Sequence, residues 1–190
     1  MQILFFDTET TGFPRKLSSP LETQPEIFEF AGAILDTKNL EKEPERFTFL
    51  CRTQKKLPTI VEDYCHIKDS ELNGKPPFSY YYKELENFIS KCDGWVAHNL
   101  IFDKKMLAIE LARLGKHKTF PWPKIERCTM QWSRKNCARG KHNLRDLHYR
   151  YAEENVIQGH RAMSDVDMLI AVARVLISEG TLSFEENEEN

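Results

Sequence analysis

Three acidic stretches carry the chemistry that this sequence offers. In the first, Asp7 and Glu9 flank Thr8 within Asp7-Thr-Glu9-Thr-Thr-Gly12. Two residues apart on an extended chain, the carboxylates share one face while Thr8 takes the other. A second acid, Asp103, closes Gly94-Trp-Val-Ala97-His98-Asn99-Leu-Ile-Phe102-Asp103, where a short apolar run gives way to helical spacing. The third stretch is His160-Arg-Ala162-Met-Ser-Asp165. On one continuous helix His160 and Asp165 would stand about 140° apart. They converge only if His160 lies in a loop and Asp165 in the first turns of a helix, and Gly159 supplies the break.

Each stretch alone has an ordinary explanation: a polar strand end, a helix-dipole partner, a cap. Four carboxylates and a histidine gathered at one place do not, because like charges raise one another's pKa unless a cation offsets them. Oxygen donors without a thiolate select Mg²⁺ or Mn²⁺ over zinc. Two such ions ~3.5–4 Å apart are suited to phosphoryl hydrolysis, holding the attacking water and the leaving oxygen.

These residues need elements that bring them together. Gln2–Phe6 is a run of Ile, Leu and Phe that reads as a strand buried on both faces, ended by Thr10–Pro14. Glu26–Asp36 and Arg46–Arg52 read as a hairpin, Gly94–Ala97 as a short strand and Lys124–Thr129 as a last one. Helices are expected around Tyr82–Ile89, over Ile101–Leu114 with Gly115 beyond its end, over Asn143–Tyr151, and over Val166–Ile177. Three strands followed by alternating helix and strand make an α/β sheet covered on both faces. Asp7 and Glu9 then sit at the carboxyl end of its central strand, where such sheets place their ligands.

The three stretches together resemble the motifs of the DEDDh exonuclease family, which includes the proofreading subunit of bacterial replicative polymerases and RNase T. The resemblance runs from about Gln2 to Ile177, in order and with all five signature residues present. It implies an RNase H-like fold, a mixed five-stranded sheet flanked by helices, in one exonuclease domain spanning 1–180 with an acidic tail at 181–190. It further implies 3′→5′ hydrolysis to nucleoside 5′-monophosphates, with Asp7, Glu9, Asp103 and Asp165 holding two Mg²⁺ or Mn²⁺ and His160 as general base. Thr8, Thr10, Ile67, Asn99 and Phe102 are the expected substrate contacts, with His98 and Asn99 bracing the site. At Ile67 the sequence departs from the family, which commonly has Gly where this chain has His66. Single-stranded DNA 3′ ends are the expected substrate and a DNA polymerase a conceivable partner. RNA trimming is the enzymatic alternative, and a non-catalytic nucleic-acid- or polymerase-binding module is the alternative from another class.

Charge sharpens the expectation. The total of −2 over 190 residues argues against a nucleic-acid partner if taken at face value. However, between Arg113 and Arg150 eleven basic residues oppose only Glu126 and Asp146, a net of +9 that leaves −11 for the rest. Arg134, Lys135, Arg139 and Lys141 lead toward His160 and are expected to guide the phosphate chain. Five cysteines without close pairs fit a reducing, cytoplasmic setting rather than a disulfide scaffold. No apolar run approaches the ~20 residues of a membrane helix, and the N-terminus does not read as a signal peptide. Zinc at Cys128, Cys137, His142 and His148 is disfavoured by their spacing. Trp95 reads as core, and Trp122 is open to base stacking.

Overall fold

A computed structural model describes residues 1–16, 18–137, 140–152 and 160–185. Arg139, Gly159 and the tail from Glu186 onward lie outside the described residues. In chain order the elements are β1 (Gln2–Thr10), β2 (Ile27–Asp36), β3 (Glu45–Leu50), α1 (Thr59–Cys65), α2 (Asp69–Leu72), α3 (Phe78–Ile89), β4 (Gly94–Ala97), α4 (Leu100–Arg113), β5 (Ile125–Cys128), α5 (Thr129–Asn136), α6 (Leu144–Ala152) and α7 (Ala162–Ser178).

The strands form one mixed sheet in the order β3-β2-β1-β4-β5. β1 pairs antiparallel with β2 and parallel with β4, so it is central, and β2–β3 is the expected hairpin. The first strand runs four residues further than its apolar stretch, carrying both acids into the sheet itself, and its pairing shifts register at Glu9/Thr10.

Side-chain alternation divides the core into two layers. Leu4, Phe6, Trp95 and Ala97 join residues of α3 and α4 on one face. Ile3, Phe5 and Val96 join residues of α6 and α7 on the other. A smaller cluster of Phe28, Leu57, Cys65, Ile67 and Leu72 anchors α1 and α2 at the end of the sheet. Among the described residues no helix is long and apolar enough to cross a membrane.

Candidate active site

The alternation along β1 continues past its apolar residues and decides where each acid points. Even positions face α4, and there Thr8 donates its amide and its hydroxyl to Asp103 Oδ1, at 3.1 and 2.8 Å. Odd positions face α7, and there Asp7 and Glu9 meet Asp165, whose carboxylate lies in the first turn of that helix. One ligand atom from each of these three acids falls within 4.8 Å of the others. Asp103 stands outside that set, across β1, yet its charge is the strongest of the neighbouring carboxylates acting on Asp7.

Burial and mutual repulsion raise the pKa values of these acids. Asp7 is raised well above the usual carboxylate range by burial first, then by Asp103, Glu9 and Asp165. Burial pushes Glu9 up to about 8, partly opposed by a hydrogen bond from the Cys65 thiol at 3.1 Å. Asp103 rises to about 7 through burial, against the two bonds from Thr8. The Cys65 thiol is itself held protonated by burial and by Glu9. The donors are therefore carboxylate oxygens, a hard set suited to Mg²⁺ or Mn²⁺.

His160 lies outside α7, as convergence with Asp165 requires, in a left-handed backbone conformation (φ 46°). Its ring stacks on Tyr64 of α1, centroids 3.7 Å apart. Burial lowers its pKa, with smaller contributions from His66 and Arg145. The following residue, Arg161, is fixed by a forked ion pair to the buried Glu29, with Nε–Oε2 and Nη2–Oε1 both at 3.0 Å. Glu29 is the β2 partner of Glu9 in the sheet register. Thus β2 pins the His160 loop beside the acids of β1. No spacing rule points to Glu29, because inside an apolar strand it reads as an outward polar position.

The expected substrate contacts differ in how far they are exposed. Ile67 is 2% exposed within the small core cluster. The family glycine position is filled by His66 in the left-handed region (φ 55°, ψ 31°), where it ends α1 without a glycine. Thr8 is buried and spent on Asp103, and the Thr10 hydroxyl donates to the Gly12 carbonyl. Asn99 precedes α4 without a side-chain capping bond. Phe102 remains at the surface edge of the core, its ring meeting the 85% exposed Phe13 edge-on at 5.9 Å. Phe13, directly after the acidic motif, is the aromatic that sequence inspection passes over as a turn residue. His98 Nδ1 meets the Thr129 hydroxyl at 3.0 Å and its Nε2 the His142 carbonyl at 2.9 Å, tying the end of β4 to α5 and to the segment before α6. Burial lowers its pKa to about 4.

Trp122, whose role the sequence leaves undecided between packing and base stacking, packs edge-on against buried Trp95 and bonds the His117 carbonyl. All five cysteines are free. Among the described residues, Asp7, Glu9 and Asp165 are the His/Cys/Asp/Glu group able to share an ion.

The basic segment is not one surface. Arg113 is internal to the fold, bonding Glu110 and the carbonyls of Leu21, Gln24 and Pro25. Arg127 holds the Ser183 and Glu185 carbonyls. It lines, with Lys124 and Lys135, a groove of about 800 Å³ beside β5. Among the described residues of this segment, Arg134 disfavours the charged form of His98 and Arg145 that of His160.

Solved structures share this architecture. The nuclease domain of 3′hExo, a DEDDh family member bound to rAMP, superposes with a TM-score of 0.76 at 18% identity, covering 97% of this chain and 96% of that one. A 3′-exonuclease described for 3′-end-specific recognition of a histone mRNA stem-loop gives 0.75 at 15% identity, over 95% and 83%. Exonuclease X in complex with 5′-overhanging duplex DNA gives 0.68 at 20% identity, over 96% and 95%. No curated protein sequence matches the chain. The RNase T family model, described as exonuclease, matches residues 4–173 and so takes in every acid of the site. With that match over most of its length, the chain belongs to the RNase T exonuclease family.

Proposed function

We propose that this chain is a divalent-metal-dependent 3′→5′ exonuclease that shortens single-stranded DNA and releases nucleoside 5′-monophosphates. The observation that carries the reading is the meeting of Asp7, Glu9 and Asp165 within 4.8 Å, with His160 on the loop before the helix that carries Asp165. Asp7, Glu9, Asp103 and Asp165 would hold two Mg²⁺ or Mn²⁺, and such ions neutralise charge at a phosphoryl centre. The carboxylates fit them: oxygen donors only, with pKa values raised first by burial and then by one another's charge. A ring nitrogen of His160 takes the proton of the attacking water, and the lowered pKa keeps that nitrogen unprotonated at neutral pH. Phe13 and Phe102 offer apolar ring surface to the terminal nucleoside.

RNA is the second reading, favoured by the rAMP-bound and histone-mRNA neighbours, of whose lengths the chain covers 96% and 83%. The catalytic acids do not separate the two, since the choice rests on how the pocket meets a 2′-hydroxyl. Matched 5′-labelled DNA and RNA oligonucleotides, single- and double-stranded, test both readings in one time course with Mg²⁺ or Mn²⁺. A ladder shortening from the 3′ end is expected, stopped by EDTA and by Asp7→Ala. Cleavage that survives both treatments overturns the mechanism.

A further inference from the structure

Beyond the reacting nucleotide, an exonuclease must hold the strand that it shortens. The best-built surface for that task is on α6. Arg145 and Tyr149 are one turn apart and therefore share a face of this helix. Arg145 is exposed, and its charge reaches His160. Tyr149 is 63% exposed, one of only seven large hydrophobic side chains so placed among the described residues. Together with Lys141, Asn143 and Asp146 these two line a shallow hollow of about 320 Å³. Leu144, Leu147 and His148, on the opposite side of the helix, are buried, so the face is presented by a fixed element.

A cation beside an unpartnered aromatic ring is the combination that binds single-stranded nucleic acid without reading its sequence: the cation takes a phosphate and the ring stacks a base. Asp146 is the one carboxylate in the hollow, facing Lys141 and Arg145, so the lining remains net positive. We propose that this face of α6 carries the strand 5′ of the scissile bond, with Arg145 on a backbone phosphate and Tyr149 under a base.

The proposal rests on the nuclease reading, and substrate length separates the two. A dinucleotide occupies the reacting site alone, whereas a 12-nucleotide strand also reaches α6. For Tyr149→Ala, KM on the 12-mer should rise roughly tenfold, the scale of one lost stacked base. Arg145→Ala should raise it by a similar factor and reduce the salt slope by about one phosphate contact. At pH 8, where His160 is neutral with or without the Arg145 charge, dinucleotide kinetics should stay within about twofold of wild type for both variants, and Tyr149→Phe should match wild type on both substrates. Both side chains are exposed, and thermal unfolding of the variants checks that the fold is intact. An active wild type whose variants leave 12-mer kinetics unmoved, or shift both substrates equally, overturns the α6 assignment alone. A wild type that degrades neither substrate overturns the nuclease reading and this assignment with it.

Discussion

Thr8 and Asp103 are 95 residues apart, yet one carboxylate oxygen of Asp103 receives both the amide N–H and the hydroxyl of Thr8. The pair ties β1 to α4 at the level of the acids, and it fixes the orientation of a buried carboxylate whose charge acts on Asp7. Thr8→Val keeps the shape and the amide bond but removes the hydroxyl. Leaving a buried anion short of one donor costs about 1–3 kcal/mol. The expected result is a lowered Tm and a weaker apparent Mn²⁺ affinity, with Thr8→Ser close to wild type. Metal titrations of activity for the two variants check this, and equal affinities would refute an orienting role.

Crowded carboxylates make the metal-free protein sensitive to alkali. Glu9 titrates near 8 when folded but near 4.5 when unfolded, and Asp103 near 7 rather than 3.8. Between those values the folded state binds more protons, so stability falls as pH rises. His98 works in the opposite direction, because it is neutral when folded down to about 4 and so loses stability as pH falls below 6.5. The clean window is therefore from pH 6.5 to about 8. Metal-free protein should lose Tm across it, Mn²⁺ should restore more Tm at pH 8 than at pH 6.5, and Asp7→Asn should flatten the slope. Calorimetric scans in EDTA and in Mn²⁺ at the two pH values decide the matter.

The same patterning explains what sequence revealed and what it concealed. Strands β2 to β5 and helices α3, α4, α6 and α7 carry apolar runs or periodic apolar faces, and their positions agree with expectation to within a few residues. By contrast α1 buries only Cys65, and α5 buries Thr129 and Ser133, small polar residues that leave no hydrophobic period. Both helices nevertheless shape the site, α1 through Tyr64 and Cys65 and α5 through the Thr129 bond to His98. The acids were legible because their residue types are chemically unusual at strand ends and helix starts. That Asp7 and Glu9 share one face of β1 and Thr8 takes the other was legible too, as a period of two, whereas the place of Asp103 on the Thr8 face was not. Contacts made across sequence distance were not: Glu29 with Arg161, or Tyr64 with His160, follow only from the closed sheet.

Glu29 offers a test of that closure. It is 3% exposed, and its fork to Arg161 is the charged link between β2 and the residue beside His160. Glu29→Gln retains the volume and one acceptor but loses the charge. Arg161 is partly exposed and can be solvated in the variant. The expected cost is therefore modest, about 1–3 kcal/mol. Activity should fall through kcat rather than KM, because the loop bearing the base is loosened while the substrate surfaces are untouched. A KM effect without loss of kcat would assign Glu29 to substrate binding instead.

Tyr64 supplies the most direct check on His160 as a base. The imidazole is active when neutral, so the acid limb of the kcat profile reports its pKa. Burial lowers that pKa, and the stacked Tyr64 ring, at 3.7 Å, is part of what buries it. In Tyr64→Ala the imidazole regains water and its pKa returns toward the ordinary 6.5. The acid limb should then move to higher pH, leaving less activity near pH 6 and nearly wild-type activity near pH 8. Tyr64→Phe keeps the ring and should keep the profile. His160→Ala should abolish the limb and lower kcat by roughly 10²–10⁴. If Tyr64→Ala merely scales activity down equally at every pH, the ring is a substrate platform rather than a cover for the base.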